Sequence, residues 1–506
     1  MHSIALDGLS LTLDSVVAVA RDFARVVVAP EAVKRANASR AIVEQALTDG
    51  RTIYGVNTGF GKLANVRIPA HQLRDLQRNL VRSHAAGVGT PLPEDVVRAT
   101  MLLRANVLLR DTSGVRPALA EGLVALLNAG IHPVVPEQGS VGACGDLAPL
   151  SHIALALLGD GDVDVRHPVR GRTAPVRQRA AAALQEAGIA PLQFEAKEGI
   201  SFVNGTQAQT SILALLVHDA RRLWRTGHAA AAMSLEALRG TPDPFDERIH
   251  LARPHPGQVA SAALLRELLA DSEIRESHRE NDPRVQDAYS LRCTPQVLGP
   301  VYDVIEFAAR TAEIELNAST DNPLVFADGI VSGGNFHGQP VALSLDILTI
   351  ALTTLAGIAE RRVERLVNPD LSQGLPAFLA SNPGVESGFM MVQVTAAALV
   401  AESRTLCTAA SVQSIPTDAN QEDIVPMGMA AAFKARRVLA NTQRVVAAEL
   451  LCAAQGLDLL KPLRPGKRVE RVYERVRAVV HTLAGDRPVH PDLEALTELI
   501  AKEALL

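Results

Sequence analysis

The stretch GSVGACGDLAPLSH, Gly139–His152, sets a cysteine between Ala143 and Gly145 in a loop almost without side chains, directly before an apolar run of helical period. Three features of Ala143-Cys144-Gly145 suit closure of the backbone on itself. Gly145 has no Cβ to keep its amide nitrogen from the Ala143 carbonyl, Ala143 is small, and Cys144 carries a β-substituent that can leave. A five-membered ring formed in this way, with the β-substituent lost, carries an exocyclic methylidene, a strong electrophile. Asp146 is placed as the N-cap of LAPLSHIALALLG, so that a helix N-terminus directs positive potential at the loop. Taken in isolation, the tripeptide reads as a tight glycine-rich turn with an inert buried cysteine. A cysteine nucleophile working with His152 lacks an orienting third group in the sequence.

Outward from this loop the chain reads as helix. Ala- and Leu-rich segments of helical period include Asp95–Arg110, Ser211–Leu238, Val301–Ala318 and Arg436–Leu460. Strand-like pieces are short, chiefly VDVRHPVRGRTAPV (Val163–Val176) and NPLVFADGIVSGG (Asn322–Gly334). The expected fold is mainly α, an extended multi-helix bundle with short β-hairpins and active-site loops. With 506 residues, 47% of them hydrophobic, the chain can bury a large core, yet aromatics are only 3%, so Leu, Ala and Val must fill the space between helices. No repeat or Pro/Ser-rich linker divides it, and a single unit over residues 1–506 is expected, with an N-terminal part, 1–200, and a long-helix part, 201–506. Ala-rich helix faces of a rod-like bundle pair across subunits, which predicts oligomerisation.

Charge and cysteine usage exclude several classes. Fifty basic and 55 acidic residues, net charge −5, are spread along the chain without a basic stripe, which argues against a nucleic-acid partner. The four cysteines, Cys144, Cys293, Cys407 and Cys452, lie far apart with no His cluster, so no disulfide framework or metal site is expected, and a reducing cytoplasmic setting fits. The N-terminus has Asp7 and Asp14 among its apolar residues and no basic leader, unlike a signal peptide. The longest apolar stretch, Ala342–Ala359, contains Asp346 and four Ser/Thr residues and reads as a buried bundle helix, not a membrane span.

Three motif-like strings fail on inspection. YGVNTGFGK has Val56 and Leu63 where a phosphate loop needs Gly and Ser/Thr. DGDVDVRHPVRG, from Asp160, has Val165 at the turn-glycine position of a calcium loop and Gly171 at the bidentate acid, so it reads as a polar hairpin. SGGNFHG lacks the spacing and β-α-β context of a dinucleotide loop.

The string GSVGACGDLAPLSH resembles the signature of the histidine and aromatic amino acid ammonia-lyases, whose Ala-Ser-Gly cyclises to a methylidene-imidazolone. The resemblance runs nearly end to end. TIYGVNTGFGKL (Thr52–Leu63), LVRSHAAGVG (Leu80–Gly89), KEGISFVNGTQA (Lys197–Ala208), VQDAYSLRCTPQ (Val285–Gln296), TDNPLVF (Thr320–Phe326), SGGNFHGQP (Ser332–Pro340) and NQED (Asn420–Asp423) appear in the family's order. At the centre Cys144 stands where the family has serine. The same ring can form from it, with hydrogen sulfide leaving in place of water.

The resemblance implies roles, residue by residue. Tyr54, in a glycine-rich loop, is the base that removes the β-proton, for which neighbours must lower a phenol pKa near 10. Asn204 hydrogen-bonds the substrate amine or carboxylate. Gln286, Tyr289 and Arg292, at i, i+3 and i+6, face one side if VQDAYSLR is helical, with Arg292 on the substrate carboxylate and Tyr289 and Gln286 near the cofactor. Phe336 packs beside the ring. His84, after Ser83, matches the histidine-specific form, and Glu422 offers a carboxylate to an imidazole N–H where lyases for uncharged rings carry glutamine. Around Glu422, Thr408-Ala409, Gln413, Asp418, Ile424 and Pro426 replace residues common in histidine lyases.

Together these imply a cytoplasmic homotetrameric ammonia-lyase that takes a small amino acid, converts L-histidine to trans-urocanate and ammonia through a 4-methylidene-imidazol-5-one formed from Ala143-Cys144-Gly145, and uses no metal. Alternatives are a tyrosine or phenylalanine lyase or aminomutase of the same family, a cofactor-less elimination from a histidine betaine, and a helical scaffold without activity.

Overall fold

Every residue from Val96 to Leu108 is buried along the helix Glu94–Leu108, which has no solvent face. Such a helix is apolar nearly all round, and its polar residues must find partners inside the protein. Arg98 donates to Val19 O at 2.7 Å, and Asn106 accepts from Gly8 N at 2.9 Å and donates to Leu316 O at 3.0 Å. The computed structural model of the chain describes residues 3–166, 174–502 and 505–506.

The architecture is mainly helical, as the periodicity predicts, with short strands between the helices. The chain partitions into two compact units, one of Met1–His218, Ala308–Asp346 and Ala409–Phe433, the other of Asp219–Phe307, Ile347–Thr408 and Lys434–Leu506. The sequence offered one unit with a division near residue 200. Four of the five boundaries fall inside the long helices Gln207–Ala237, Thr294–Leu316, Gln339–Val367 and Gly428–Leu459, and the fifth, between Thr408 and Ala409, follows the helix Met390–Thr405.

In the first unit, helices Leu13–Arg21, Ala118–Ala129 and Leu147–Leu157 accompany Glu94–Leu108. Gly130, with φ +70°, ends Ala118–Ala129 in the left-handed conformation that leaves a glycine unstrained. Of the stretch Asp160–Gly171 read as a hairpin, Asp162–Val165 is a strand, and its antiparallel partner is Val176–Arg179, beyond that stretch; residues 167–173, and with them Gly171, lie outside those described. The second predicted hairpin pairs Leu324–Phe326 with Gly329–Val331. One core cluster joins Val43, Ala46, Ile53, Val56, Ala196 and Val325 and thereby pins both flanks of Tyr54.

In the second unit, a fully buried ion pair holds Arg362 to Glu449 (Nη2···Oε2 2.9 Å), and Ser234 donates to the same carboxylate at 2.7 Å. Two charges removed from water are tolerated because each is hydrogen-bonded by the other. Helix Gln339–Val367 is long and apolar enough to cross a membrane, but 72% of its apolar window is buried in the protein, as for a core helix.

Candidate active site

Ala143 and Cys144 occupy a tight turn closed by a bridge between Gly142 and Gly145. Gly145 has φ +75° and pairs with Gly205, and a Cβ on Gly145 would overlap the Gly205 backbone. Only glycine satisfies both the conformation and the approach. Neighbouring strings clamp the turn: Met427 N donates to Val141 O at 2.8 Å, and Gly338 N to Gly142 O at 3.2 Å. Asn204 Nδ2 donates to Cys144 O at 2.7 Å, and its buried Oδ1 has no partner among the described residues. Arg104, wholly buried, holds Asn204 in turn by donating to its carbonyl at 3.0 Å.

Asp146 stands at the N-cap of Leu147–Leu157 as expected, but its side chain caps a different helix. The carboxylate accepts from Gln209 N at 2.9 Å, in the first turn of Gln207–Ala237, and from Ser140 Oγ at 3.0 Å. Burial pushes this carboxyl up to about 6 against those donors. Asp146 therefore ties the tripeptide turn to the helix that follows Asn204-Gly205.

Tyr54 leads a loop held by its own short-range bonds. Ile53 N donates to Asn57 Oδ1 at 2.8 Å, Gly55 N to Thr58 Oγ1 at 3.0 Å, and Gln77 Nε2 to Gly55 O at 3.2 Å. The phenol oxygen accepts from Gly61 N at 3.1 Å. Burial pushes the phenol above its usual range; the Gly61 N–H opposes this, and Cys144, Asp418 and Glu422 add to the rise. The sequence reading required neighbours that lower it. The difference is physical: burial, the largest cause, disfavours a phenolate, and the charged groups that act on it are carboxylates, which disfavour it further.

Glu422 is set by a turn in which Thr417 N donates to Glu422 O at 3.0 Å and Glu422 N to Thr417 O at 3.3 Å. Its carboxylate accepts from the Thr417 hydroxyl and shares the cavity wall with the Cys144 thiol. Burial first, then the neighbouring Glu422 carboxylate and the charge of Asp418, push the thiol far up. A thiol held protonated is a poor nucleophile, and His152 is engaged elsewhere, its Nε2 accepting from Gly87 N at 3.2 Å. A Cys144–His152 nucleophile is thus disfavoured.

Two adjoining cavities meet at Cys144. One, of 560 Å³, takes in Ala143, Phe336, His337, Lys62 and Gln421; the other, of 690 Å³, takes in Phe60, Leu63, Leu76, Leu80 and His84. Tyr54, Cys144, Asn204, Asp418 and Glu422 line both. His84 bonds through Nδ1 to Leu80 O at 2.9 Å, and burial pulls its pKa down, so the neutral ring leaves Nε2 as an acceptor.

Tyr289, Arg292 and Gln286 lie in the second unit and line neither cavity. The helix covers only Tyr289–Arg292, so Gln286 precedes it and the expected common face does not form. The reason lies in side-chain bonds that favour irregular backbone: Asp287 Oδ2 accepts from Thr241 N at 2.7 Å and Asp282 Oδ1 from Arg284 N at 2.9 Å. Tyr289 is 70% exposed, and the Arg292 guanidinium lies 4.8 Å from its ring centroid. Asp418 lines both cavities although the sequence showed it only as a departure beside Glu422, and Asp146, read as a helix start, supports the turn together with Arg104 and Gln209, which carry no local signal.

No group of His, Cys, Asp and Glu among the described residues is arranged to hold a metal. The tripeptide does fit backbone cyclisation: the turn admits only glycine at 145, Ala143 is small and buried, and Asn204, whose Nδ2 donates to the Cys144 carbonyl, keeps a buried Oδ1 without a partner among the described residues.

A profile of the aromatic amino acid lyase family matches residues 11–478. The histidine ammonia-lyase of Anaeromyxobacter sp. (strain K) is 53% identical, with 100% of both chains covered. Among solved structures, the histidine ammonia-lyase from Trypanosoma cruzi is similar at TM-score 0.91 and 43% identity, covering 100% of this chain and 94% of its own. The tyrosine aminomutase from Streptomyces globisporus is similar at TM-score 0.93 and 41% identity, covering 99% and 97%.

Proposed function

The chain belongs to the aromatic amino acid lyase family, and from that premise we propose that it releases ammonia from L-histidine, leaving trans-urocanate. The observation that carries this reading is the junction at Cys144, where Tyr54, Cys144, Asn204 and Glu422 together line both cavities. The family's methylidene-imidazolone supplies an electrophile toward the substrate amine, and here Ala143, Cys144 and Gly145 are the residues that would form it, with Cys144 in place of serine.

The chain's own groups do the rest. Elimination breaks the bond from Cα to nitrogen and a C–H bond at Cβ, and the electron pair becomes the new double bond. Tyr54 takes the β-proton. Its raised phenol pKa limits the phenolate present, and a cationic substrate beside it pulls the pKa back down, so binding and base activation are coupled. Glu422 accepts one imidazole N–H and the neutral His84 ring accepts another polar hydrogen, fixing the side chain while Phe336 packs beside it. Asn204 keeps the Cys144 carbonyl in place.

Glu422→Gln is expected to lower kcat/KM for histidine by about 10- to 100-fold, since a charged hydrogen-bond acceptor contributes ~1.5 to 3 kcal/mol. Urocanate absorbance reports it. Undiminished histidine turnover in both Glu422→Gln and His84→Leu contradicts the histidine assignment.

We assign the active form to a cytoplasmic homotetramer in which Tyr289 and Arg292, exposed to solvent and half-buried respectively, complete the site of another copy. Sedimentation measured beside activity at falling protein concentration is expected to show the two declining together. A fully active monomer refutes this assembly.

A further inference from the structure

We propose that Asp418 is a positioning residue for Tyr54: its carboxylate seats the backbone of Gly61 and Lys62, the turn whose N–H bonds the Tyr54 phenol oxygen. This rests on the reading of Tyr54 as the base. Asp418 Oδ2 accepts from Lys62 N at 3.1 Å, and one residue earlier Gly61 N donates to the phenol at 3.1 Å. Gly61 has φ +52°, and a Cβ on it would overlap the Asp418 carboxylate. Carboxylate and turn are therefore in direct contact, with glycine required by both the conformation and the space.

The other side of the contact is equally specific. Asp418, Ala419 and Asn420 all have positive φ, +48°, +52° and +65°, a run that residues with a Cβ adopt only where surrounding structure enforces it. The paired backbone of Thr417 and Glu422 closes this turn. One turn thus sends Glu422 to the Cys144 thiol and Asp418 to the Tyr54 loop, so the base and the tripeptide are positioned from the same short segment.

Charge adds a second, separable effect. Tyr54 is faced by the Cys144 thiol, Asp418 and Glu422, while His84, Lys62 and His337 line the same cavities. The Asp418 carboxylate disfavours the phenolate, so neutralising it makes Tyr54 more acidic.

The test compares Asp418→Asn, which keeps an acceptor oxygen and removes the charge, with Asp418→Ala, which removes both. In the absence of substrate, phenolate absorbance, corrected with Tyr54→Phe, is expected to show the Tyr54 ionisation constant raised about threefold or more in the Asn variant. The ascending limb of kcat/KM for histidine moves to lower pH accordingly. Maximal kcat falls about 10- to 100-fold in Asp418→Ala, the range expected for one lost charged hydrogen bond, and falls less in Asp418→Asn, which keeps a neutral acceptor for Lys62 N. An Ala variant with parental kcat, or an Asn variant whose phenol titrates as in the parent, overturns the proposal. A parent that releases no ammonia from histidine defeats the functional reading instead, and the substrate-free titration still tests Asp418.

Discussion

Replacing Cys144 by alanine is expected to lower ammonia release from histidine about a thousandfold or more, because alanine has no β-leaving group and the methylidene cannot form. Losing even half of a typical enzymatic barrier reduction of ~8 kcal/mol costs about this factor in rate. The turn itself should survive: Gly145 still meets Gly205, and Asn204 still bonds the carbonyl of residue 144, which is backbone. Unchanged thermal unfolding alongside lost activity separates chemistry from folding. Cys144→Ser leaves the same ring once its hydroxyl has left, and activity at least equal to the parent is expected. An alanine variant as active as the parent means that no electrophile from this tripeptide takes part, and elimination from a substrate with its own leaving group, such as a histidine betaine, becomes the better account.

Tyr54→Phe has the next largest effect. A positioned general base contributes about 10²- to 10⁴-fold, and phenylalanine fills the same volume between Ile53 and Val56 without a proton acceptor. The expected result is a fall in kcat of that order with little change in the KM for histidine. The sign of the pH dependence follows from the environment. Burial raises the phenol above its ordinary value, so with Tyr54 as the proposed base the phenolate is scarce below that raised pKa and activity is expected to climb with pH through it. Stopped assays for urocanate between neutral and alkaline pH measure that climb, and a Phe variant with parental kcat removes Tyr54 from the mechanism.

The helices, both hairpins and the tripeptide turn were legible because each depends on local chemistry. Leu and Ala recur at helical spacing, β-branched residues lie between turn formers, and two glycines bracket Ala143-Cys144. Asp146 was legible as a helix start but not in its action, because Gln209, whose N–H its carboxylate takes, is remote in sequence. Gln286 illustrates the converse. Its spacing to Tyr289 and Arg292 fits a helix, but Asp282 and Asp287 bond backbone N–H groups and hold the preceding residues out of it. The direction of the Tyr54 shift needed the burial of its phenol, the largest cause, and the positions of Asp418 and Glu422, which lie far along the chain and act on the phenol only in three dimensions. Division into two units left no mark because four of its five boundaries fall within helices of ordinary composition.

The central claim, that Cys144 is the precursor of the electrophile, is tested most directly by the intact mass of the purified protein. Closing the ring joins the Gly145 nitrogen to the Ala143 carbonyl carbon and expels that oxygen as water, and forming the methylidene expels the Cys144 sulfur as hydrogen sulfide. A deficit of about 52 Da from the 53.7 kDa sequence mass is predicted, and about 36 Da for Cys144→Ser, where two waters leave. A preparation that releases ammonia from histidine while carrying the full sequence mass contradicts the account.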